Sequence, residues 1–412
     1  MKIGSVVFPL TGSTSHRKSL KAVAVAVAAT ASLLLAGCAA GDPSSAETGS
    51  TDPIKIGILA STTGALATYG IAERQGIEIA IENANANGGV NGQQIEAIWY
   101  DPAGDTAKAI EQVNRMVQQD QVELILDASA SSGVALAIKP VAQAANVVMI
   151  SAGAAAGITS PVSLSPLTFG TTLSTDFVAA KMVEYLVDEG AKSVGILSSS
   201  DGYGKAGAAS LATVFDAAGI KKEFVEYDPA ATDLTSQLRA MQEKKYDAII
   251  NWTSGSTGVV FFKNAQQLKL ADDSLVMASF TFSNPALMKE AGAASEGVIV
   301  GGIKATLLSV LEDDDPEKAV IAEFDAALQK AYKVNVTIYA AQAHDSAIVA
   351  FAGIEAAKTT EASALAKAIE GLTVDGVQGT YHFSPNDHRG LGTHNVAMMQ
   401  WNGDEFIQIE GK

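Results

Sequence analysis

The sequence predicts an α/β protein with two lobes, each built on a mostly parallel sheet, and three observations carry that prediction. Hydrophobic residues make up 48% of the 412 residues and aromatic residues only 6%, which favours a globular interior of Ala, Val, Ile and Gly. Short apolar runs alternate with stretches of helical periodicity, as in βαβ units. This alternation occurs in two similar series, so two units are expected rather than one long sheet.

The first series begins at residue 54. Apolar runs predict strands at residues 54–60, 94–100, 122–126 and 147–151. Helical spacing between them is carried by Ile77, Ala80, Ile81 and Ala84 and then by Ile110, Val113 and Val117. Because proline disfavours a helix interior, the helix before the fourth strand is predicted to begin or kink at Pro140.

The second series begins near residue 173. Strands are predicted at residues 193–197, 221–227, 246–251, 274–278 and 297–300, with helical stripes around Val178, Leu238 and Phe261 between them. Asp315 and Pro316 are typical of a helix start, and two further helices are predicted at residues 339–357 and 363–369. Residues 378–383 and 395–401 are the last predicted strands.

Composition and missing motifs exclude several function classes. The net charge of −17 and the lack of a basic patch argue against a nucleic-acid partner. One cysteine excludes an internal disulfide and, with only five histidines, argues against a metal site. His382, His388 and His394 share no helix face and are interpreted as surface-loop residues. No phosphate-binding glycine loop and no nucleophile elbow occurs, so we expect neither a cofactor nor an enzyme.

The N-terminus has the pattern of an export signal. Basic residues at 16–21 precede an apolar run at residues 22–35, which is too short to span a bilayer. Residues 35–38, Leu-Ala-Gly-Cys, resemble the bacterial lipobox, which implies cleavage before Cys38 and lipidation of its sulfur. We therefore expect a signal peptide at residues 1–37, a flexible tether at residues 38–52, and a lipid anchor on the outer face of the cytoplasmic membrane. An ordinary signal peptide with a chance cysteine is the alternative.

The loops after the predicted strands indicate a binding cleft, because ligands of open α/β sheets bind at the carboxyl ends of strands. In the first series these loops, at residues 61–70, 127–133 and 151–157, are rich in Ser, Thr and Gly. Their N–H groups and hydroxyls suit a small anion such as a carboxylate. The loops of the second series contribute the aromatic residues Tyr203, Trp252, Phe280 and Phe282. A polar wall facing an aromatic wall predicts a cleft between lobes, and ordinary turns with core aromatics are the alternative.

One segment identifies a family. Residues 83–93, Asn-Ala-Asn-Ala-Asn-Gly-Gly-Val-Asn-Gly-Gln, resemble a helix end and turn of the leucine/isoleucine/valine-type periplasmic binding proteins of ABC importers. The resemblance extends over about residues 53–408. It implies a periplasmic binding protein-like fold: two Rossmann-like lobes, a ligand cleft between them, and three crossover segments. The first lobe would hold residues 53–173 and 304–375, and the second lobe residues 174–303 and 378–408.

The resemblance also implies roles for individual residues. Ser132 and the backbone of residues 153–155 would bind a ligand carboxylate, and Tyr69 and Tyr203 would flank the ligand from opposite lobes. The full set of candidate ligand-binding residues is Tyr69, Ser131, Ser132, Gly153, Ala154, Ala155, Tyr203, Trp252, Thr253, Phe280 and Tyr339.

Two departures from the family pattern bear on the ligand. Amino-acid binders of this type usually have a hydroxyl at the position of Ala155 and a carboxylate at that of Phe280, which pairs with the α-ammonium. Residues 278–289 contain no acid, and a buried ammonium without a partner is costly. The sequence therefore favours a hydrophobic or aromatic carboxylate over an amino acid, although Asp201 or Asp127 could replace the missing acid.

Together these features predict a solute-binding lipoprotein that closes on a small ligand and delivers it to an ABC permease driven by an ATPase. A sensor of the same fold that feeds a signalling partner is the alternative, and the sequence does not separate the two. A surface hydrolase lacks a recognisable nucleophile–base pair.

Overall fold

Two parallel-stranded sheets organise the chain in the computed structural model, which describes residues 52–411. The predicted signal peptide, the predicted lipidation site Cys38 and all but the last residue of the predicted tether lie outside the described residues. The predictions made for them therefore stay predictions.

The first sheet contains five parallel strands. They are β1 (Ile54–Ala60), β2 (Ile95–Tyr100), β3 (Leu124–Ala128), β4 (Val148–Ser151) and β5 (Thr168–Gly170), in the order β2-β1-β3-β4-β5. Ile56 of β1 pairs with Ala97 on one side and Leu124 on the other. The connecting helices are α1 (Ala67–Ala86), α2 (Thr106–Arg115), which continues as a π-turn over Met116–Asp120, and α3 (Ser132–Ala144).

The second sheet follows after helix α4 (Thr175–Asp188). Its elements are β6 (Ser193–Ser199), α5 (Gly202–Ala218), β7 (Lys221–Tyr227), α6 (Thr235–Lys244), β8 (Ala248–Trp252), α7 (Ser256–Gln267), β9 (Leu275–Ala278), α8 (Pro285–Ala291) and β10 (Ile299–Gly302). The chain then forms α9 (Lys318–Tyr332), α10 (Ile338–Ala357), α11 (Ala362–Ile369) and a hairpin of β11 (Thr373–Gly376) and β12 (Gly379–His382). Of the last strands, β13 (Ala397–Trp401) pairs antiparallel with β10, and β14 (Phe406–Gln408) pairs antiparallel with β13.

The two sheets share one strand order. The second sheet runs β7-β6-β8-β9-β10, which repeats the arrangement of β2-β1-β3-β4-β5, and then adds β13 and β14. In such doubly wound sheets the strand order reverses beside the first strand of each unit, and a crevice opens there at the carboxyl ends of the strands. The topology therefore offers one crevice in each lobe.

Helix α10 belongs to the first lobe and packs along α1. The two backbones approach closely at Gly76, where a Cβ atom would lie 2.1 Å from the carbonyl oxygen of Ala340. Any other residue at position 76 would push the helices apart. The close approach brings Tyr69 of α1 into a stack with Tyr339 of α10, with ring centroids 4.4 Å apart.

A buried carboxylate on α10 holds the hairpin. Asp345 accepts hydrogen bonds from both N–H groups of the hairpin turn, those of Val377 (2.9 Å) and Gln378 (3.0 Å). The hydroxyl of Tyr381 lies 2.9 Å from the same carboxylate and 2.6 Å from the carbonyl oxygen of Thr171. The side chain of Asp345 thus joins the hairpin to the segment in which the chain leaves the first sheet.

The structure corrects several sequence expectations. Helix α3 runs through Pro140 instead of beginning there, and α9 begins at Lys318, two residues after Pro316. His388 is buried rather than on the surface: its ring stacks on Phe169, with centroids 4.1 Å apart, and its Nε2 lies 3.1 Å from Glu370.

The segment after the hairpin lies beside the first sheet. Gly170 of β5 donates its N–H to the carbonyl of His388 at 2.9 Å. Placing all of residues 378–408 in the second lobe does not fit this contact. We propose instead that the third crossover lies at about residues 391–396, directly before β13.

Replacing Asp345 with Asn should lower the free energy of unfolding by about 3 kcal/mol, because it removes the buried charge that accepts several hydrogen bonds. Urea unfolding followed by circular dichroism measures the change. The matched control is Asp375→Asn in the same hairpin, where the carboxylate accepts from Thr380 at an exposed site. This control should change stability by no more than about 0.5 kcal/mol, and equal losses in the two variants would contradict the role given to Asp345.

Candidate functional site

A cavity of about 270 Å³ lies where the two crevices meet. Its lining comes from the loops that follow β1, β2, β3 and β4 in the first lobe and β6, β8 and β9 in the second, together with α10. The lining residues are Leu66, Gly104, Thr106, Ala130, Ser131, Ser132, Gly133, Ala152, Gly153, Ala154, Asp201, Gly202, Tyr203, Ser254, Phe280, Thr281, Tyr339 and Gln342. The volume is just below the range of about 300–1,000 Å³ that is usual for ligand pockets, so the cavity suits a small metabolite.

The wall of the first lobe is made of small residues, and some of its polar groups are bonded within the lobe. Ser131 caps α3 by accepting from the N–H of Val134 at 3.3 Å. Gly153 donates its N–H to Ser151 Oγ at 3.0 Å, and Ala155 donates its N–H to Ser132 Oγ at 3.2 Å.

Several donors of this wall are left over, among them the N–H groups of Ser132 and Gly133 in the first turn of α3. Within residues 52–411, the N–H of Ala154 has no hydrogen-bond acceptor. The hydroxyl of Ser132 accepts from Ala155 and, among the same residues, donates to nothing. Both Ser132 and Ala154 line the cavity. The wall can therefore present backbone N–H groups and one hydroxyl to the same anion.

The wall of the second lobe is aromatic. Tyr203 and Phe280 line the cavity with ring centroids 5.8 Å apart in an edge-to-face arrangement, and Trp252 lies behind them, 5.9 Å from Tyr203. The indole of Trp252 packs against Gly207 of α5, where a Cβ atom would lie only 2.1 Å from Nε1. The rings give this wall apolar area for the body of a ligand.

One carboxylate lines the cavity on the second lobe. Asp201 caps α5: its Oδ1 accepts from the N–H of Gly204 at 2.7 Å and from Ser199 Oγ at 3.1 Å. Asp127, the other acid considered from the sequence, lies outside the lining and is fully buried, where it accepts from Ser151 Oγ at 2.7 Å. Of these two acids, only Asp201 is placed to meet a ligand.

The lobes touch around the cavity. A Cβ atom on Gly202 of α5 would lie 3.0 Å from the backbone nitrogen of Gly133 on α3, so the starts of these two helices are in contact. The hydroxyl of Tyr69 lies beside Gly255 in the second lobe. These contacts describe a closed arrangement of the two lobes.

A buried acid supports the base of the cavity. Glu73 of α1 accepts from the amide of Gln342 at 2.6 Å, and Gln342 in turn lines the cavity. Burial, and then the charge of Asp127, raise the pKa of Glu73 well above its usual value. Three polar atoms near the cavity have no hydrogen-bond partner within the described residues, and they are Glu73 Oε2, Tyr203 Oη and Tyr339 Oη.

The sequence-predicted site residues fall into two layers. Those on the cavity wall are Ser131, Ser132, Gly153, Ala154, Tyr203, Phe280 and Tyr339. Tyr69, Ala155, Trp252 and Thr253 lie behind the wall: Tyr69 stacks on Tyr339, and the carbonyl of Thr253 accepts from Ser279 and Thr281 at 2.8 Å each. We expect this second layer to support the wall rather than to touch a ligand.

Several residues near the cavity were missed from the sequence. Gln342 is a polar residue in the first turns of an Ala-rich helix, and that contrast with its neighbours was the available signal. Glu73 and Arg389 have no local pattern that marks them as buried. Leu66, Ser254 and Thr281 lie in loops whose importance was predicted, although their own contribution was not.

Neither a metal site nor a membrane span is found within residues 52–411. No group of three or more His, Cys, Asp or Glu residues there could hold a metal ion. None of the helices in this range combines the length and apolar character needed to cross a bilayer.

Comparison with known proteins decides the family. The family model described as "Periplasmic binding protein" matches residues 53–405. The chain belongs to this family. It is 28% identical over 357 residues to the leucine-, isoleucine-, valine-, threonine- and alanine-binding protein of Pseudomonas aeruginosa, a match that covers 86% of this chain and 91% of the relative. The family is thus the branched-chain amino acid type that the turn at residues 83–93 indicated.

Solved structures of similar fold confirm the predicted α/β architecture. An extracellular ligand-binding receptor from Rhodopseudomonas palustris superposes with a TM-score of 0.79 at 21% identity, over 87% of this chain and 99% of the receptor. An ABC-transporter solute-binding protein from the same species, solved in complex with 4-hydroxybenzoate, gives a TM-score of 0.76 at 21% identity, over 87% of this chain and 96% of that protein. At these identities the likeness shows the fold alone.

Membership establishes the broad class of this chain. Periplasmic binding proteins are ligand-binding proteins of the ABC-transport type rather than enzymes, and the family implies a location outside the cytoplasm. The ligand is not given by membership.

The raised pKa of Glu73 predicts a pH dependence of stability. The folded chain holds the Glu73 proton at a pH where the unfolded chain, with a pKa of about 4.3, has released it. The contribution of the protonated acid is complete below about pH 4 and is lost as pH rises toward the folded pKa. Relative to Glu73→Gln, which cannot ionise, the wild type should therefore lose stability in urea unfolding as pH rises above the unfolded pKa, by at most about 1.4 kcal/mol per pH unit until the folded acid ionises.

Glu361 provides a control whose effect on stability should change with pH in the opposite direction. Backbone N–H groups of Ala364 and Ser363 lower the pKa of Glu361, so the wild type should gain stability relative to Glu361→Gln as pH rises through the titration of that acid. If Glu73→Gln followed the wild type at every pH, Glu73 would be ionised in the folded chain.

Proposed function

We propose that this chain is the solute-binding lipoprotein of an ABC importer, anchored through Cys38 outside the cytoplasmic membrane. It captures a small solute between two closing lobes and delivers it to permease subunits coupled to an ATPase. The observation that carries the proposal is the closed cavity between the lobes, with a polar wall on one side and an aromatic wall on the other. Closure gives the permease a form to recognise that differs from the open one.

The cavity chemistry favours a carboxylate with an apolar body. The Ala154 N–H and the Ser132 hydroxyl would hold the carboxylate, which suits the donor-rich wall of the first lobe. Tyr203 and Phe280 would pack on the body of the solute. The buried hydroxyls of Tyr203 and Tyr339 would gain a partner if the body carried a polar substituent.

Whether the cavity can accept a solute with an ammonium group depends on Asp201. Its carboxylate lines the cavity, and the Pseudomonas aeruginosa relative is named for amino acids. However, Oδ1 of Asp201 is committed to Gly204 and Ser199, and Phe280 stands where an acid is usual. We therefore propose that the preferred solute is a hydrophobic or aromatic acid without an α-amine.

Matched pairs of acids test this proposal. We expect 4-methylpentanoate to stabilise the purified chain more than leucine, and 3-phenylpropanoate or 4-hydroxybenzoate more than phenylalanine, because only the amino acids must bury an ammonium. A solute at 100 times its Kd adds about 2.7 kcal/mol of stability, which thermal unfolding detects easily. Tight leucine binding with no binding of the amine-free acids would overturn the ligand class.

Single-residue variants test which side chains contact an acid that binds. Ser132→Ala should weaken a bound acid by about 0.5–3 kcal/mol in calorimetry, because a hydrogen bond to the carboxylate is lost. Ser363→Ala, at an exposed position on α11, is the matched control and should leave affinity unchanged. Unchanged affinity in Ser132→Ala would remove this residue from the site.

The membrane anchor has its own test. Cys38→Ser should prevent labelling with a radioactive fatty acid and should move the protein from the membrane fraction to the soluble extracytoplasmic fraction, because the sulfur that would carry the lipid is absent. The nearby control is Ser45→Ala in the predicted tether, which keeps Cys38 and should leave labelling and fractionation as in the wild type. Unchanged labelling and fractionation in Cys38→Ser would show that Cys38 is not the attachment site.

A further inference from the structure

Arg389 is a buried cation placed directly behind the polar wall of the cavity. It is only 2% exposed and follows the β11–β12 hairpin in the chain. Its Nη1 donates to the carbonyls of Gly153 (3.1 Å) and Thr172 (2.9 Å), and its Nη2 donates to the carbonyl of Ala155 at 3.3 Å. Nε lies 3.4 Å from Thr159 Oγ1. The guanidinium thus binds both ends of the 153–155 loop and the segment that leaves the first sheet.

The hydrogen bond from Arg389 to the carbonyl of Gly153 also fixes the direction of the next N–H group in the chain. The C=O of one residue and the N–H of the next share a plane and point in opposite directions. Because the carbonyl of Gly153 points at Arg389, the N–H of Ala154 must point away from it. This N–H has no acceptor within residues 52–411, and both Gly153 and Ala154 line the cavity.

The charge of Arg389 is not cancelled by a close acid. No carboxylate among the described residues forms an ion pair with it, and Asp387 and Asp176 act only at longer range. Burial lowers the pKa of the guanidinium to about 10, so it remains positively charged at neutral pH. In a chain with a net charge of −17, this cation places one positive charge behind the polar wall.

We propose that Arg389 is the positioning residue of a carboxylate site: it fixes the peptide plane between Gly153 and Ala154 so that the Ala154 N–H faces the cavity, and it places a positive charge behind that N–H. The proposal rests on the solute-binding function proposed above. A hydrogen bond to the carbonyl also polarises the peptide and strengthens the N–H as a donor.

Formate is the probe, because it is a carboxylate without a body and needs no knowledge of the natural solute. Titration of the isotope-labelled full chain, followed through amide NMR resonances, should give a saturable shift at Ala154, with smaller shifts at Ser132 and Gly133. If formate left the Ala154 resonance of the wild type unchanged, the proposal would be overturned without any variant.

Arg389→Lys and Arg389→Met separate geometry from charge. Lys keeps the charge but cannot span the carbonyls of Gly153 and Ala155 at once, so formate affinity should fall roughly tenfold. Met removes both the charge and the bonds and should reduce affinity further. If Arg389→Met does not fold, the Lys variant and the wild-type titration still decide the question.

Lys139 provides the matched control. It is a cation bonded to the same stretch of chain, through the carbonyl of Gly157 at 2.7 Å and Ser165 Oγ at 3.0 Å. Lys139→Met should leave formate affinity within about twofold of the wild type. An equal loss in Lys139→Met and Arg389→Met would reduce the effect to general charge and overturn the positioning role.

The outcomes distinguish this proposal from the one on which it rests. A purely structural Arg389 would lower the unfolding temperature of Arg389→Lys but leave the formate affinity of the folded protein unchanged. If 4-methylpentanoate and formate bound Arg389→Lys as tightly as the wild type, positioning would be wrong while solute binding stood. If formate binding depended on Arg389 but no solute stabilised the wild type, the proposed ligand class would be wrong.

Discussion

The close packing of α10 on α1 is the contact on which both the β11–β12 hairpin and the cavity depend. Gly76 lets the two helix backbones meet, and α10 then presents Tyr339, Gln342 and Asp345 at a spacing of three residues. Tyr339 reaches the cavity, Gln342 joins the cavity to Thr171 and Thr172, and Asp345 holds the hairpin. A single helix therefore connects the ligand wall to the first crossover.

The candidate site divides its chemistry between the lobes. The first lobe supplies hydrogen-bond donors from the N-terminal end of α3 and the loop after β4, and Arg389 supports that loop from behind. The second lobe supplies the rings of Tyr203 and Phe280, held by the fully buried Trp252. Because each lobe holds only part of the lining, the complete cavity exists only when the lobes are together. This coupling of shape to closure is what a transport receptor requires.

Local patterns predicted most of the fold but not its exceptions. The runs at residues 54–60 and 221–227 are strands over their full length, since continuous apolar or alternating sequence is sufficient there. Strand β5 has only the three residues Thr168–Gly170, and α5 is rich in Gly, Ala and Ser, so neither carries a clear period. Loop positions followed from the strand order, which is why Ser132, Tyr203 and Phe280 were found. Arg389 was not, because its burial depends on contacts more than two hundred residues away in sequence.

The two walls differ in how they can evolve. The donor that faces the proposed carboxylate is a backbone N–H, which survives almost any substitution at Ala154 except proline. The opposite wall is made of side chains, and each replacement of Tyr203 or Phe280 would reshape it. A new cargo can therefore arise by mutation of one lobe while the head-group contact is inherited unchanged, so divergence in specificity within such a lineage should concentrate after β6 and β9.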